Sequence, residues 1–207
     1  KISPMADLEE TLRLLPETRE IHILSVKNEC KELLFLLENE PAKEVNIYAI
    51  DLPEKPEISA FTFKPQEEKE APLQLADSVG NYLYEPHAAL LKSGAFKLTA
   101  LRYGVQKLHR HSHLYTSSRP VTAFPGRGFA VEEVFEFSGK LLKQLNKQIP
   151  QANLTTRNFP LSVAELRKRS GIKEGGDTYL FATTLSDNRK VIVQTRKINP
   201  ANRPDAE

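Results

Sequence analysis

The stretch FAVEEVFEFSGKLLKQLNKQI, residues 129–149, shows the repeating unit of the second half of the chain. Its first nine residues are rich in Phe and Val, which is typical of a strand. The remainder places apolar residues on one side of a helix, at Leu141, Leu142, Leu145 and Ile149. A strand followed directly by an amphipathic helix predicts an α/β domain.

The same unit returns once and then ends in a hairpin. ANLTTRNF, residues 152–159, predicts a second strand. Ser162 and Glu165 have the spacing of a capping box, and Gly171 marks the end of the second helix. DTYLFATTL and KVIVQTRKI predict two final strands around the turn SDN. The predicted order over residues 121–198 is therefore β-α-β-α-β-β.

Residues 1–66 also mix helices and strands. Asp7 is predicted to cap a helix that ends near Pro16. Asn28 is predicted to cap a second helix. The apolar residues that follow it have helical spacing, at Cys30, Leu33, Leu34 and Leu37. Strands are predicted at residues 19–26, 45–52 and 58–65. This order resembles the closing part of a doubly wound α/β domain with an antiparallel edge.

Between these two regions the sequence changes character twice. KPQEEKEAP is charged and holds two prolines, so it is predicted to end a strand and lead into a linker at residues 67–77. NYLYEP predicts a short strand, and residues 86–104 predict a helix interrupted by a glycine. The strand predicted next, KLHRHSHLYTSS, holds His109, His111 and His113 at alternate positions. Because alternate side chains of a strand point to one face, the three imidazoles are predicted to lie together.

Composition and charge restrict the classes of function. The 207 residues include a single cysteine, Cys30, which excludes an internal disulfide and cysteine-based zinc or iron–sulfur sites, and which suits a reducing cytoplasm. No apolar run approaches the length of a membrane span. Residues 1–70 hold 9 Lys and Arg against 16 Asp and Glu, whereas residues 71–207 hold 20 against 11. An acidic first part and a basic second part, net −7 and net +9, predict two units with different partners.

The basic residues of the second part are the candidate phosphate-binding groups. One face of the first helix carries lysines at helical spacing, and the second helix and its end carry a basic cluster; the residues are Lys140, Lys143, Lys147, Arg167, Lys168, Arg169 and Lys173. Arg127, between two glycines in FPGRGF, and Arg157 lie at strand ends. The alternative is that both helices simply present ordinary solvated faces.

The alternate histidines allow three interpretations. They could hold a zinc ion, contact RNA, or form the polar face of a half-buried strand. Catalytic use of a zinc ion would also require a water-activating pocket and second-shell carboxylates, and the nearest acids in the sequence are far along the chain.

Several longer motifs together resemble one bacterial family: KISPM followed by Asp7, SVKNECKELL, YLYEPHAALLKSG, KLHRHSHLYTSS, FPGRGF, RNFPLSVAELRK and GGDTYLFAT. The family is that of class I SAM-dependent methyltransferase-like proteins with a ferredoxin-like segment and a THUMP-like domain. The resemblance implies the C-terminal part of a Rossmann-like methyltransferase domain at residues 1–66 and a ferredoxin-like segment at 78–120. It implies a THUMP-like domain at 121–198, and the polar residues 199–207 are expected to be a disordered tail. THUMP-like topology is shared with the C-terminal domain of bacterial translation initiation factor three, which contacts RNA.

The resemblance implies an RNA-binding accessory region rather than a complete enzyme. The family's glycine-rich SAM loop and its acidic-proline catalytic motif are both missing, so no cofactor, metal or catalytic residue is expected in this chain. The chain starts at Lys1 and is expected to be a piece of a longer protein. Transfer or ribosomal RNA and the missing N-terminal methyltransferase half are the expected partners, with no membrane or DNA. His109 and His113 match the family's pattern, and His111 is additional. The alternatives are a protein-interaction or assembly module and, less well supported, a metal-dependent enzyme built on the histidines.

Overall fold

The computed structural model describes residues 1–52 and 59–198, and these residues form two units. The first unit consists of Lys1–Pro72 and Pro86–Leu101, and the second of Leu73–Glu85 and the residues from Arg102 onward. The expected ferredoxin-like segment, 78–120, therefore contributes to both units. Within the described residues, no helix is long and apolar enough to cross a membrane.

The first unit is a four-stranded sheet with short helices. Its elements are α1 Leu8–Leu14, β1 Thr18–Val26, β2 Glu29–Leu37, β3 Asn46–Leu52, β4 Ser59–Phe63, α2 Pro65–Glu70, α3 Ala88–Ser93 and α4 Phe96–Tyr103, which ends just beyond this unit. The strand order is β2-β1-β3-β4, with β1 and β3 parallel and both outer strands antiparallel to their neighbours. The helix α3 packs on β1, β2 and β3. Ile21, Ile23, Leu33 and Ala49 are fully buried in this unit.

The predicted second helix is wrong, because the residues after Asn28 form strand β2. Lys27 and Asn28 both have positive φ, 51° and 61°, and join Val26 to Glu29 in a two-residue hairpin turn. Positive φ at both central residues is the geometry that matches the twist of two antiparallel strands, and asparagine tolerates it. Asn28 therefore reverses the chain instead of capping a helix.

Other local predictions for the first unit are confirmed, with one further difference. The Asp7 carboxylate accepts a hydrogen bond from the Glu10 amide at 2.8 Å and caps α1. Gly94, with φ 80°, separates α3 from α4 as expected. The stretch predicted as a strand end and linker instead contains α2, which starts at a proline. The N-terminus of α2 is capped by a hydrogen bond in which the Lys64 amide donates to the Glu67 carboxylate at 2.7 Å. The predicted strand start at Ile58 lies outside the described residues.

The second unit is a seven-stranded sheet in the order β6-β7-β5-β8-β11-β10-β9. Its elements are β5 Tyr82–Pro86, β6 Gln106–Lys107, β7 Tyr115–Ser117, β8 Gly126–Glu136, α5 Gly139–Gln148, β9 Asn153–Arg157, α6 Val163–Ser170, β10 Thr178–Thr184 and β11 Lys190–Lys197. From β8 onward the order is β-α-β-α-β-β, as the sequence predicts. The predicted capping box is also present, since Ser162 and Glu165 bond to each other's amides.

The two faces of this sheet bury different segments. One face, which we call the helix face, is covered by α5 and α6, with Leu142, Leu145 and Leu166 packed on Leu180 and Ile192 of the sheet. The opposite face, the loop face, buries a second cluster formed by Leu83, Leu108, Leu114, Phe129 and Phe181. Because side chains alternate along a strand, every second residue of β8 and β9 reaches the loop face.

The predicted histidine strand is wrong, because residues 108–114 form a loop between β6 and β7. Leu108 and Leu114 are both fully buried, and the Leu108 amide donates to the Leu114 carbonyl at 3.0 Å. This closes the chain on itself, so residues 109–113 leave the sheet in a turn, and His113 takes a φ of 50°. The alternating pattern therefore does not place the imidazoles on one strand face. We call residues 108–114 the histidine loop. The expected disordered tail lies outside the described residues.

Candidate functional site

A buried carboxylate organises the polar side chains on the loop face of the second unit. Glu85 lies on β5 with its side chain 0% exposed. Its Oε1 accepts from Arg157 Nη2 at 2.7 Å, and its Oε2 accepts from both Nε, at 3.1 Å, and Nη2 of Arg127. We call Glu85, Arg127 and Arg157 the arginine site.

Strand periodicity explains why these three residues meet. Glu85 follows the buried Leu83 by two positions, and Arg127 precedes the buried Phe129 by two, so each faces the loop side. Arg157 pairs with Thr183 two residues beyond Phe181 and has the same orientation. The Arg127 guanidinium also lies over the Phe129 ring, 5.6 Å from its centroid, in a cation–π arrangement.

Within the arginine site the carboxylate is buried, whereas the two guanidinium side chains are partly exposed. The carboxylate is out of water, whereas the side chains of Arg127 and Arg157 remain 33% and 35% exposed. Two guanidiniums against one carboxylate leave one formal positive charge. A desolvated carboxylate requires such partners, but the partners themselves stay accessible to an anion.

The histidine loop is tied to the strand end that carries Arg157. The Asn158 side-chain amide lies 2.9 Å from Nδ1 of His109, and the same Nδ1 accepts the His111 amide at 3.1 Å. An accepting Nδ1 places the ring proton on Nε2, so His109 presents an N–H donor there. Burial lowers the pKa of His109, and the neighbouring His111, Arg110 and Lys107 lower it further.

His113 is neutral at pH 7. Burial lowers its pKa to about 4, with smaller contributions from Lys107, His111 and Arg157. Lys107 itself is buried and donates from Nζ to the Arg110 carbonyl at 2.8 Å. Positive side chains therefore lie close to the histidine loop, and His109 and His113 supply hydrogen-bonding groups rather than charge. The described part of the chain contains no cluster of His, Cys, Asp and Glu side chains placed to hold a metal ion, so the zinc interpretation gains no support.

A second basic group lies on the helix face. Its members are all exposed on α5 and α6: Lys140, Lys143, Lys147, Lys168 and Arg169. We call this group the helix surface. Lys143 of α5 and Arg169 of α6 line one depression together with Phe137, Gly139 and Leu142, so the two helices bring at least these two basic side chains together. Lys173 is exposed on the segment that follows α6.

Arg167 differs from its neighbours on α6. Its side chain is only 22% exposed and donates to the Ile172 carbonyl at 3.2 Å and the Ala152 carbonyl at 3.4 Å. Its Nη2 also lies 3.8 Å from a Glu174 carboxylate oxygen. Arg167 therefore holds the segment after α6 in place and does not belong to the helix surface.

The residues predicted as one phosphate-binding surface thus divide between opposite faces of a sheet. Arg127, Arg157, His109 and His113 lie on the loop face, and the helix surface lies on the other. Sequence reasoning missed Glu85, although a lone acid inside the apolar strand YLYEP is the kind of signal that predicts a buried ion pair.

Comparisons with known proteins identify the domains. Residues 82–125 match the model of a ferredoxin-like domain, and residues 126–197 match the model of a THUMP-like domain. The structure is similar to a crystal structure described as "putative methyltransferase from Porphyromonas gingivalis W83", with a TM-score of 0.91 and 45% sequence identity. The similarity covers 96% of this chain and 50% of that protein, so this chain spans about half of its length. No curated protein matches the chain. The resemblance found in the sequence motifs is confirmed.

Proposed function

We propose that the chain is the RNA-binding accessory region of a SAM-dependent RNA methyltransferase-like protein, on the basis of the ferredoxin-like match over residues 82–125 and the THUMP-like match over residues 126–197. The helix surface carries this proposal. Five exposed basic side chains on two adjacent helices suit the phosphates of a structured RNA, which supply most of the sequence-independent affinity. Lys173, Arg157, Arg127, His109 and His113 add further contacts in this proposal.

The methyl donor belongs to the rest of the parent protein in this proposal. All nine glycines of the chain lie at or after Gly80, and β1 leads into the Lys27–Asn28 turn. The glycine-rich backbone that would cradle SAM in a Rossmann-like domain therefore does not fit residues 1–66, and we derive no methyl transfer from this chain. The parallel pair β1 and β3, with antiparallel strands at both sides, supports the assignment of residues 1–66 to the closing part of such a domain.

The first unit would contact the half of the parent protein that this chain does not span. Among the described residues of this unit, five large apolar side chains are strongly exposed: Met5 at 88%, Leu14 at 74%, Leu36 at 52%, Leu37 at 48% and Leu101 at 46%. In this proposal, some of these side chains are part of a surface that a partner covers. The Porphyromonas gingivalis W83 protein has about twice the aligned length, which supports a covering half of the same polypeptide. Separately expressed halves should therefore co-purify, and Leu14→Glu with Leu36→Glu should abolish the association.

RNA binding is tested by titrating the chain with a transfer RNA pool, and with ribosomal RNA fragments, across a salt series. Replacing Lys140, Lys143 and Lys147 with Glu should remove about three phosphate contacts and reduce the slope of log affinity against log salt by about 2 to 3. The matched control changes Lys1, Lys31 and Lys43 of the first unit to Glu, which alters the net charge equally. No binding of the wild-type chain at low salt would refute the proposed function. Equal losses in both variants would refute the helix surface as the RNA contact.

A further inference from the structure

We propose that the arginine site is a clamp for one phosphate group of the RNA, with Glu85 as the residue that positions the two guanidiniums. This inference rests on the proposed RNA binding. It adds a second and geometrically defined contact, on the face of the sheet opposite the helix surface.

The arginine site holds two cations around a single carboxylate. A structural ion pair needs one arginine for one carboxylate, and here each Glu85 oxygen accepts from a different arginine. Among the described residues, the ion pairs give Arg127 and Arg157 no acid other than Glu85. The positive charge that remains is not neutralised inside the site, so an anion from solution would complete it.

Both guanidiniums of the arginine site remain accessible to a ligand. Each arginine is held at Glu85 and is still about a third exposed. A guanidinium presents five N–H donors in a planar fork, and a fork that is held from one side can offer its remaining donors to phosphate oxygens. His109, tied to Asn158 next to Arg157, adds a neutral Nε2–H on the same face.

The guanidiniums of the arginine site are already held in place before any ligand binds. The lysines of the helix surface are exposed and must lose side-chain freedom when they bind. Arg127 is fixed by two bonds to Glu85 and by the Phe129 ring, and Arg157 by Glu85 and by the Thr156 carbonyl at 3.3 Å. Binding at such a site loses little further freedom. The arginine site should therefore depend on guanidinium geometry, and the helix surface only on charge.

This difference defines the experiment. Arg127→Lys with Arg157→Lys keeps both charges and a cation beside Glu85, but it removes the planar fork. We expect the affinity of the full chain for a short structured RNA to fall about ten- to a hundredfold, because charge-assisted bonds are lost, while the salt slope stays unchanged. Arg189→Lys is the matched control, since Arg189 also pairs with a carboxylate, Asp187 at 2.6 Å, but lies exposed in the β10–β11 turn. The control should bind as the wild type does.

The positioning role of Glu85 is tested in the same assay. In a Glu85→Gln background the guanidiniums lose their common anchor, so the two Arg→Lys changes should alter affinity by less than about threefold. A merely structural Glu85 would leave the full effect of Arg→Lys in that background. Thermal melting of every variant checks folding. If the double variant does not fold, Arg127→Lys alone keeps the Arg157–Glu85 pair and is expected to lose several-fold in affinity.

The source of the phosphate is distinguished by the RNA used. The same oligonucleotide is compared with a 5′-phosphate and with a 5′-hydroxyl. A loss confined to the phosphorylated RNA would assign the clamp to a terminal phosphate, and a loss with both would assign it to the internal backbone. If the Arg→Lys double variant binds RNA as tightly as the wild type, the phosphate clamp is refuted, but the proposed function is not. Absence of wild-type binding overturns the proposed function itself.

Discussion

Removing the two arginines of the arginine site should destabilise the second unit more than removing the carboxylate. The variant Arg127→Met with Arg157→Met leaves Glu85, which is 0% exposed, as a buried charge without its partners. Breaking a buried pair in this way costs about 3–5 kcal/mol. Glu85→Gln instead leaves two guanidiniums that are already a third exposed and can be hydrated, so its cost should be about 1–3 kcal/mol.

A triple variant separates the effect of the unpaired charge from the effect of lost packing. Adding Glu85→Met to the double variant removes the unpaired charge and fills a similar volume, so the triple variant should recover about 2–4 kcal/mol relative to the double. Urea unfolding at pH 7, followed by far-UV circular dichroism, gives the free energy of unfolding for each variant, taken from the unfolding transition whose urea midpoint shifts in the variants. Arg189→Met is the control and should change stability by less than about 0.5 kcal/mol, because its pair is exposed.

Two results would refute this reasoning. A double variant that is no less stable than Glu85→Gln would show that desolvation of the carboxylate does not dominate the site. A triple variant that is no more stable than the double would show that the loss came from packing of the arginine stems rather than from the unpaired charge.

Three further predictions concern positions elsewhere in the fold. His113, whose pKa is lowered to about 4, binds a proton more readily in the unfolded chain than in the folded one. Its contribution to the free energy of unfolding should therefore be constant above about pH 6.5 and fall as the pH drops toward 4. The variant His113→Asn, in which asparagine tolerates the positive φ, should weaken this pH dependence in urea titrations. Asn28→Val forces a β-branched residue to a φ of 61° and should cost about 1–2 kcal/mol by thermal unfolding, whereas Asn28→Gly should be neutral or stabilising. Gly171→Ala should lower the free energy of unfolding more than Gly94→Ala does. Both glycines have positive φ, but a Cβ at Gly171 would lie 2.9 Å from the Asn146 side chain, whereas one at Gly94 would meet nothing within 4 Å. Chemical denaturation of the two variants gives the comparison.

Local signals predicted the β-α-β-α-β-β part of the second unit well. The capping box at Ser162, the apolar side of α5 and the β-branched final strands act over a few residues, and the structure keeps each of them. In the first unit the prediction at Asn28 is wrong, because an asparagine is suited both to a helix cap and to a hairpin turn. The apolar residues that follow fitted helical spacing, and pairing with β1 decided in favour of the strand. Tertiary pairing of this kind does not appear in a single-sequence pattern.

The candidate site was predicted in its residue types but not in its arrangement. Arg127 and Arg157 were named from the sequence, but their common partner is Glu85, which lies more than 40 residues before either. The separation of the arginine site from the helix surface depends on which residues of β8 and β9 face which side of the sheet, and that register is fixed by long-range pairing. Closure of the histidine loop depends on the contact between Leu108 and Leu114, which alternation along a strand does not reveal.

The placement of two basic groups on opposite faces of one sheet has a consequence for valency. A rigid duplex laid on α5 and α6 would leave the arginine site uncovered, so the second contact would belong to another segment of the same folded RNA or to a second molecule. Binding of two segments of one RNA would be intramolecular, and its avidity would exceed the affinity of either contact alone. An RNA cut between those segments would lose this gain without losing a single contact. If the chain binds RNA as proposed, its affinity would therefore be higher for an RNA in which the two segments are joined.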